Sequence, residues 1–184
     1  KKKIFVIMQN RFNNPIQITK DYINKNKFGK IVSITSRVRW SRDQKYYDQA
    51  KWRGTWKLDG GALANQGIHH IDLMYYLGGP IIETFAFSSK RLAKIQSEDT
   101  AVAVLKFKSG ALGTLEVTTA TRPKDLEGSI SILGEKGSMI IGGFAANKIE
   151  YCEFKNKKDN IIKKSTTKIQ KMFMVLDIKK IILR

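Results

Sequence analysis

The sequence predicts an α+β fold, a large mostly antiparallel sheet with helices on one face, from three observations. From residue 81 onward, alternating apolar runs follow one another with glycine-containing turns between them. Two helix-patterned stretches, 15–27 and 59–79, come before that succession, and a cleanly alternating run, 31–40, lies between the two. Strands in hairpin order after helices put the helices on one side of an antiparallel sheet and leave its other face to be covered by something else. A second copy of the same sheet is the expected cover.

In order along the chain, residues 4–8 form a short apolar run with β-branched members and predict a buried strand. Polar Gln9, Asn10 and Arg11 follow at what would be its C-terminal end, a common place for binding groups. Pro15 suits a first helical residue after an asparagine cap, and Ile16, Lys20 and Ile23 carry that helix to about Lys27, where Phe28-Gly29-Lys30 closes it. Residues 31–40 alternate as a half-buried strand. The next 18 residues, 41–58, read as a long loop holding Tyr46, Tyr47, Trp52 and Trp56 among Arg42, Lys45, Arg53 and Lys57. Loops longer than about 12 residues in a compact domain are commonly functional, and this aromatic content argues for a binding loop over a linker, although the tryptophans could equally pin the loop to the core. Strands are expected at 81–88, 100–107, 112–119, 128–133, 138–141, 148–154 and 160–167, with hairpin turns at 108–111 and 134–137. The stretch 168–184 has helical spacing only to Leu176 and is read as an atypical tail after a domain spanning 1–167.

The polar chemistry converges on residues 59–79, DGGALANQGIHHIDLMYYLGG. Asn65, His69, Asp72 and Tyr76 recur at steps of four, three and four, which places them on one face of a helix that ends at Gly78-Gly79-Pro80. Ala62 is small enough to leave room beside that face, while Leu63, Ile71, Met74 and Leu77 supply apolar surface elsewhere around it. A row of amide, imidazole, carboxylate and phenol either lines a site or satisfies a polar core, and we read it as a site. A histidine titrating near neutrality can take a hydroxyl proton while hydride leaves the same carbon. Asn65 can donate and accept hydrogen bonds toward a sugar hydroxyl. Asp72 and Tyr76 suit structural hydrogen bonds from the helix to a loop or to the sheet.

Other chemistries fit less well. His69 and His70 are the only histidines; adjacent on a helix, they diverge by about 100°, so a metal site is not expected. No serine sits in a Gly-x-Ser-x-Gly elbow. The formal charge of +18 raises nucleic acid, but the 34 basic residues are scattered along the chain, which argues against it. A positive field would still favour an anionic small substrate. No apolar run approaches the ~18 residues of a membrane span, and the single Cys152 cannot form an internal disulfide, so a cytoplasmic protein is expected.

The stretch GGALANQGIHHIDLMYYLGG, with QNRFNNP upstream and YYDQAKWRGTWKLDGG between them, resembles the C-terminal domain of the Gfo/Idh/MocA oxidoreductases, over roughly residues 1–150. The nearest branch acts on UDP-N-acetyl-glucosaminuronic acid in cell-surface polysaccharide synthesis. The resemblance implies a glyceraldehyde-3-phosphate dehydrogenase C-terminal-like fold and NAD or NADP held by an N-terminal Rossmann domain. It implies oxidation or reduction of a sugar hydroxyl, and a homo-oligomer formed through the sheet face. His69 would accept the proton and Asn65, where the wider family has a carboxylate, would orient the sugar. Gln9, Asn10 and Arg11 would lie near the nicotinamide, and Arg39, Tyr46, Tyr47, Arg53, Trp56 and Lys57 would bind the nucleotide sugar. Two departures stand out: the chain has no Gly-x-Gly-x-x-Gly turn of its own, and the family's Glu-Lys-Pro lysine is absent. Residues 1–10 are then expected to be the connecting strand from a missing dinucleotide-binding domain, and the tail a truncation or altered frame. The isolated chain is expected neither to bind NAD tightly nor to transfer hydride. A non-catalytic dimerisation or binding module, or a basic nucleic-acid binder, are the alternatives.

Overall fold

A computed structural model of the chain describes residues 3 and 5–160. Seven strands form one sheet in the order β2-β3-β4-β1-β5-β6-β7. They are β1 (Ile31–Arg39), β2 (Ile81–Ser89), β3 (Thr100–Phe107), β4 (Leu112–Thr118), β5 (Glu127–Gly134), β6 (Gly137–Gly142) and β7 (Lys148–Phe154). Every neighbouring pair is antiparallel except β1 with β4. The expected fold class is therefore the observed one. Hairpin signatures reveal neighbours in sequence, and so β1, inserted centrally between two later hairpins, takes a place that no local signal encodes.

Helices α1 (Asn14–Asn24) and α3 (Ile68–Gly78) lie on one face, α3 over β1 and α1 over β6. Alternation makes that face the core. Ile34 and Val38 of β1, Leu115 and Val117 of β4, Ile130 and Ile132 of β5, and Met139 and Ile141 of β6 are buried against Ile16, Leu73, Met74 and Leu77 of the helices. Pro15 sits in the first turn of α1 as expected, but the preceding Asn13 does not cap through its side chain; its amide donates to the carbonyl of Ala145 at 2.7 Å.

Three expectations are corrected. Residues 5–8 form no strand: Phe5 and Val6 are exposed, and no described strand lies beside them to supply a ladder. The segment 41–58 is not loop throughout, because Gln44–Asp48 form a short helix, α2, capped by Asp43, whose carboxylate accepts from the Tyr46 amide at 3.0 Å. The helix expected over 59–79 starts at Gly61 and is interrupted by a π segment, Leu63–Gly67, before α3 proper. The strand expected at 160–167 and the tail 168–184 lie outside the described residues, apart from Asn160, which is not in a strand. Among the described residues no helix is long and apolar enough to cross a membrane.

Candidate functional site

The helix that carries Asn65 and His69 is anchored at its start by a buried acid. Glu98 accepts from the Leu63 amide at 3.0 Å through its carboxylate and from the Ala62 amide at 3.0 Å through its carbonyl. Gly61 (φ +83°) is needed there, since a β-carbon would collide with that carboxylate. Its neighbour Asp99 fixes the loop before β3 by accepting from the amides of Arg91, Leu92 and Ala93 at 2.8–2.9 Å. Burial pushes the Asp99 carboxyl up, but those three amides with the Thr100 hydroxyl outweigh it and hold its pKa below the ordinary value. Ala62 is itself buried in the core rather than lining a hollow. The π segment then presses Gly67 onto β4, where a β-carbon would come within 2.9 Å of Val117.

The i→i+5 widening of that turn divides the expected polar face in two. On its N-terminal side, the Asn65 amide donates to the Asp59 carboxylate and its oxygen accepts from Gln66 at 2.5 Å. Gln66 reaches the Tyr46 hydroxyl at 3.3 Å and accepts from Arg42 at 3.3 Å. On the C-terminal side, Asp72 takes a two-bond fork from Arg11 at 2.8 and 2.5 Å, and both Arg11 and Lys20 stand over the Tyr76 ring at 4.8–4.9 Å. Asp72 makes the expected helix-to-loop hydrogen bonds, while the Tyr76 ring takes cation–ring contacts instead of a side-chain hydrogen bond among the described residues. His69 lies between the two groups, half-buried, with its Nδ1 buried and without a hydrogen-bond partner among the described residues.

The adjacent imidazole differs. His70 is fully buried, edge-on to Trp40 at 6.1 Å, with neither ring nitrogen hydrogen-bonded among the described residues. Burial first, and the neighbouring His69 second, lower its pKa to about 4, against a weak opposing pull from the Gly128 carbonyl. His70 is a core residue that stays neutral near pH 7, whereas His69 is only half-buried.

Of the residues expected to bind substrate, the fold gathers some and disperses others. Tyr46 stays beside Asn65 through Gln66, and Arg53 stacks on the Tyr46 ring at 4.1 Å while donating to the Tyr46 carbonyl at 2.7 Å. Arg53 also borders a shallow cleft of about 380 Å³ with Lys51 and Lys94. Tyr47 is buried, its hydroxyl spent on Thr119 at 2.8 Å and its pKa raised by burial. Arg39 points to the opposite face of the sheet, locked by Glu116 at 2.7 and 2.6 Å and by Glu127 at 3.3 Å. From Ser33 onward, past a register shift at Ile31, the odd-numbered β1 side chains face away from α3, so the alternation there places Arg39 off the His69 side. Trp56 and Lys57 are exposed, and Trp52 is 42% exposed, so neither tryptophan is buried in the core to pin the loop. Near the other end, Gln9 is exposed, Asn10 is buried, and Arg11 is committed to Asp72, which leaves its fork unable to clamp a cofactor phosphate.

Asp59, Gln66 and Glu98 were missed as contributors to this region, and Arg42 was named only as one of the loop's basic residues. Gln66 and Asp59 fall off the face that an uninterrupted 3.6-residue period assigns, while Glu98 arrives from a distant segment with no motif around it. Among the described residues no three of histidine, cysteine, aspartate and glutamate converge as a metal site.

Residues 16–140 match the model of the GFO/IDH/MocA C-terminal domain. In structure the chain is similar to the WlbA dehydrogenase from Bordetella pertussis, in complex with NADH and UDP-GlcNAcA, at 45% identity and a TM-score of 0.80 over 83% of this chain and 46% of that one. It is similar to WlbA from Chromobacterium violaceum, again with NADH and UDP-GlcNAcA, at 47% identity and a TM-score of 0.80, over 83% and 44%. In sequence it is 28% identical to the myo-inositol 2-dehydrogenase of Thermotoga maritima over 74% of this chain and 40% of that protein. The chain spans less than half the length of each of these relatives.

Proposed function

Because the chain belongs to the GFO/IDH/MocA C-terminal domain family, we propose that it is the substrate-binding domain of an NAD(P)-dependent sugar dehydrogenase acting on a nucleotide-linked uronic acid, in the cytoplasmic assembly of a cell-surface polysaccharide. The likeness to the two WlbA proteins supports the choice of substrate. The observation that carries the chemistry is the His69 imidazole, one helical turn from the Asn65 amide on one side and from the Arg11–Asp72 pair on the other, with a buried, unpartnered Nδ1.

In the oxidising direction, a CH–OH carbon of the sugar becomes C=O. Its hydroxyl proton passes to His69, while the hydride acceptor would be supplied by bound NAD(P). His69 acts as the proton acceptor, and in the reducing direction the protonated imidazole returns the proton to the carbonyl oxygen. Asn65, its amide oriented by Asp59 and Gln66, retains one N–H and one lone pair to align a sugar hydroxyl. Tyr46 and Arg53 offer an aromatic surface and a cation to the nucleotide sugar, and the exposed Gln9 is the polar group available toward the nicotinamide. The cofactor would be held mainly by a dinucleotide-binding domain outside these 184 residues, since they contain no glycine-rich dinucleotide turn.

The exposed face of the sheet, where Phe85, Phe87, Val102 and Val104 form one apolar patch, is read as the seat of a second copy. Calorimetric titration of the purified chain with UDP-GlcNAcA should give saturable binding, and incubation with NAD and UDP-GlcNAcA should give no NADH. Absence of binding would reject the substrate reading, and turnover by the chain alone would reject its inactivity.

A further inference from the structure

The arginine forks of this protein are used unequally. Arg11 and Arg39 each present the edge made by Nε and Nη2 to a carboxylate, Asp72 and Glu116 respectively. Arg122 is oriented instead by neutral oxygens: Nη1 donates to the carbonyls of Thr121 at 2.7 Å and Thr119 at 3.1 Å and to the Ser41 hydroxyl at 3.4 Å, and Nη2 to the Arg42 carbonyl at 2.9 Å. Its Nε–H and one Nη2–H have no partner, and no carboxylate lies within ion-pair distance of it, among the described residues. Carbonyls fix a guanidinium in place without neutralising it.

Arg122 and Arg42 line an open cleft of about 700 Å³ together with Ser41, Asp43, Tyr46 and Pro123. Of the two acids nearby, Asp43 is spent on a helix cap and Asp125 pairs with Arg42, which leaves Arg122 as the cleft's arginine without a carboxylate partner among the described residues. Asp43 caps α2, and Asp125 accepts from the Ser41 amide at 2.6 Å and from one nitrogen of Arg42 at 3.2 Å. Arg42 also stands over the Tyr46 ring at 5.4 Å and over Trp40 at 5.5 Å, and its Nη2 reaches Gln66, the residue bonded to Asn65. The cleft is therefore joined by hydrogen bonds to the amide beside His69.

We propose that Arg42 and Arg122 form an anion subsite that binds a negatively charged oxygen group of the nucleotide-sugar substrate, the diphosphate or the uronate carboxylate. This subsite rests on the substrate reading given above and adds to it the residues that select charge. A preset guanidinium binding phosphate or carboxylate through two N–H groups gives a charge-assisted fork, whose loss costs about ten- to a hundred-fold in affinity.

The test titrates the 184-residue chain, wild type and Arg122→Gln, with UDP-GlcNAcA, UDP-GlcNAc, UDP and inorganic pyrophosphate, with Arg122→Lys as the charge-preserving control. A weakening of ten-fold or more for all four ligands, partly restored by lysine, assigns the subsite to the diphosphate. A weakening confined to UDP-GlcNAcA assigns it to the carboxylate. Wild-type affinity for every ligand in Arg122→Gln overturns the subsite while leaving the substrate reading intact. If wild type binds none of the nucleotides, the substrate reading fails and pyrophosphate alone decides: weakening in Arg122→Gln sustains the subsite, and no pyrophosphate binding by wild type overturns it. Should Arg122→Gln fail to fold, phenylglyoxal labelling of wild type read by mass spectrometry replaces it, with protection of Arg122 by bound ligand supporting the subsite and equal labelling with and without ligand rejecting it.

Discussion

The two faces of the sheet are cut from the same strands by the same alternation. Toward the helices, Ile34, Val38, Ile130, Ile132, Met139 and Ile141 are fully buried. On the other side Phe85 pairs across from Val104 and Phe87 from Val102, and all four are more than half exposed, at 62, 52, 74 and 52%. Next to them in the ladder the character changes. Thr114 stands beside Val104 and bonds Thr35, and Glu116 beside Val102 is forked by Arg39, while Glu127 joins Arg39 and Arg37. The helix side is buried and mostly apolar, enclosing only a few polar groups such as Ser36, Thr19 and His70; the open side is an apolar end joined to a band of ion pairs. That mixture of an apolar centre with paired charge is the make-up of an interface between chains more than of a core.

The largest expected difference between the faces is in stability. Phe107→Ala, on the helix side and fully buried, should lower unfolding free energy by about 3–5 kcal/mol, whereas Phe87→Ala should cost under about 1 kcal/mol in the monomer. Urea denaturation at low protein concentration measures both, and equal losses would show that the open face is covered even there.

Acid should act on the helix side next. His70 has a folded pKa of about 4 against an ordinary value of 6.5, so between these values the unfolded chain takes a proton that the folded chain refuses. The stability this histidine allows is complete above about pH 6.5 and falls as pH drops toward 4, by up to about 3 kcal/mol. The depressed carboxyls Asp99 and Glu116 act lower, losing their contribution as pH falls through their folded pKa values. Stability curves of wild type and His70→Gln should therefore have different slopes between pH 4 and 6.5 and the same slope above. Parallel curves throughout would mean the ring is accessible to water.

On the open side the effect should appear in mass rather than stability. Phe87→Lys with Val102→Lys should abolish any assembly seen by size exclusion and light scattering while shifting the thermal midpoint of the monomer by only a degree or two. An unchanged oligomer would place its interface elsewhere. The smallest effect is expected from Arg37→Ala, which removes a 3.7 Å surface pair with Glu127 and should alter stability by a few tenths of a kcal/mol.

Much of this architecture could be read before any coordinates. The six later strands lie within a residue or two of their expected bounds, because a period of two with glycine turns is a local signal, and β1 was found the same way. The position of β1 in the sheet was illegible, since parallel pairing with β4 joins segments some 80 residues apart. Of the strand expected at residues 4–8, the described residues 5–8 form none, because an apolar run needs a neighbour to become a strand. At the site, the sequence singled out the helix and its amide and imidazole. It could not show the π turn, and so it could not see that Asn65 would turn to Asp59 while Asp72 turned to Arg11. Residue type alone also failed to separate arginines: Arg39 and Arg122 look equally suited to an anion until the carboxylates around each are located.

That one widened turn also governs which changes in chain length the region tolerates. Dropping any single residue from 63–67 would let the coil close into an unbroken α-helix and rotate everything before it by about 100° relative to His69. The glycine pair, the Glu98 anchor and the amide of Asn65 would then all lose register together. Insertions and deletions that a surface loop absorbs without effect should be excluded from these five positions, making them a fixed spacer whose length carries as much information as its letters.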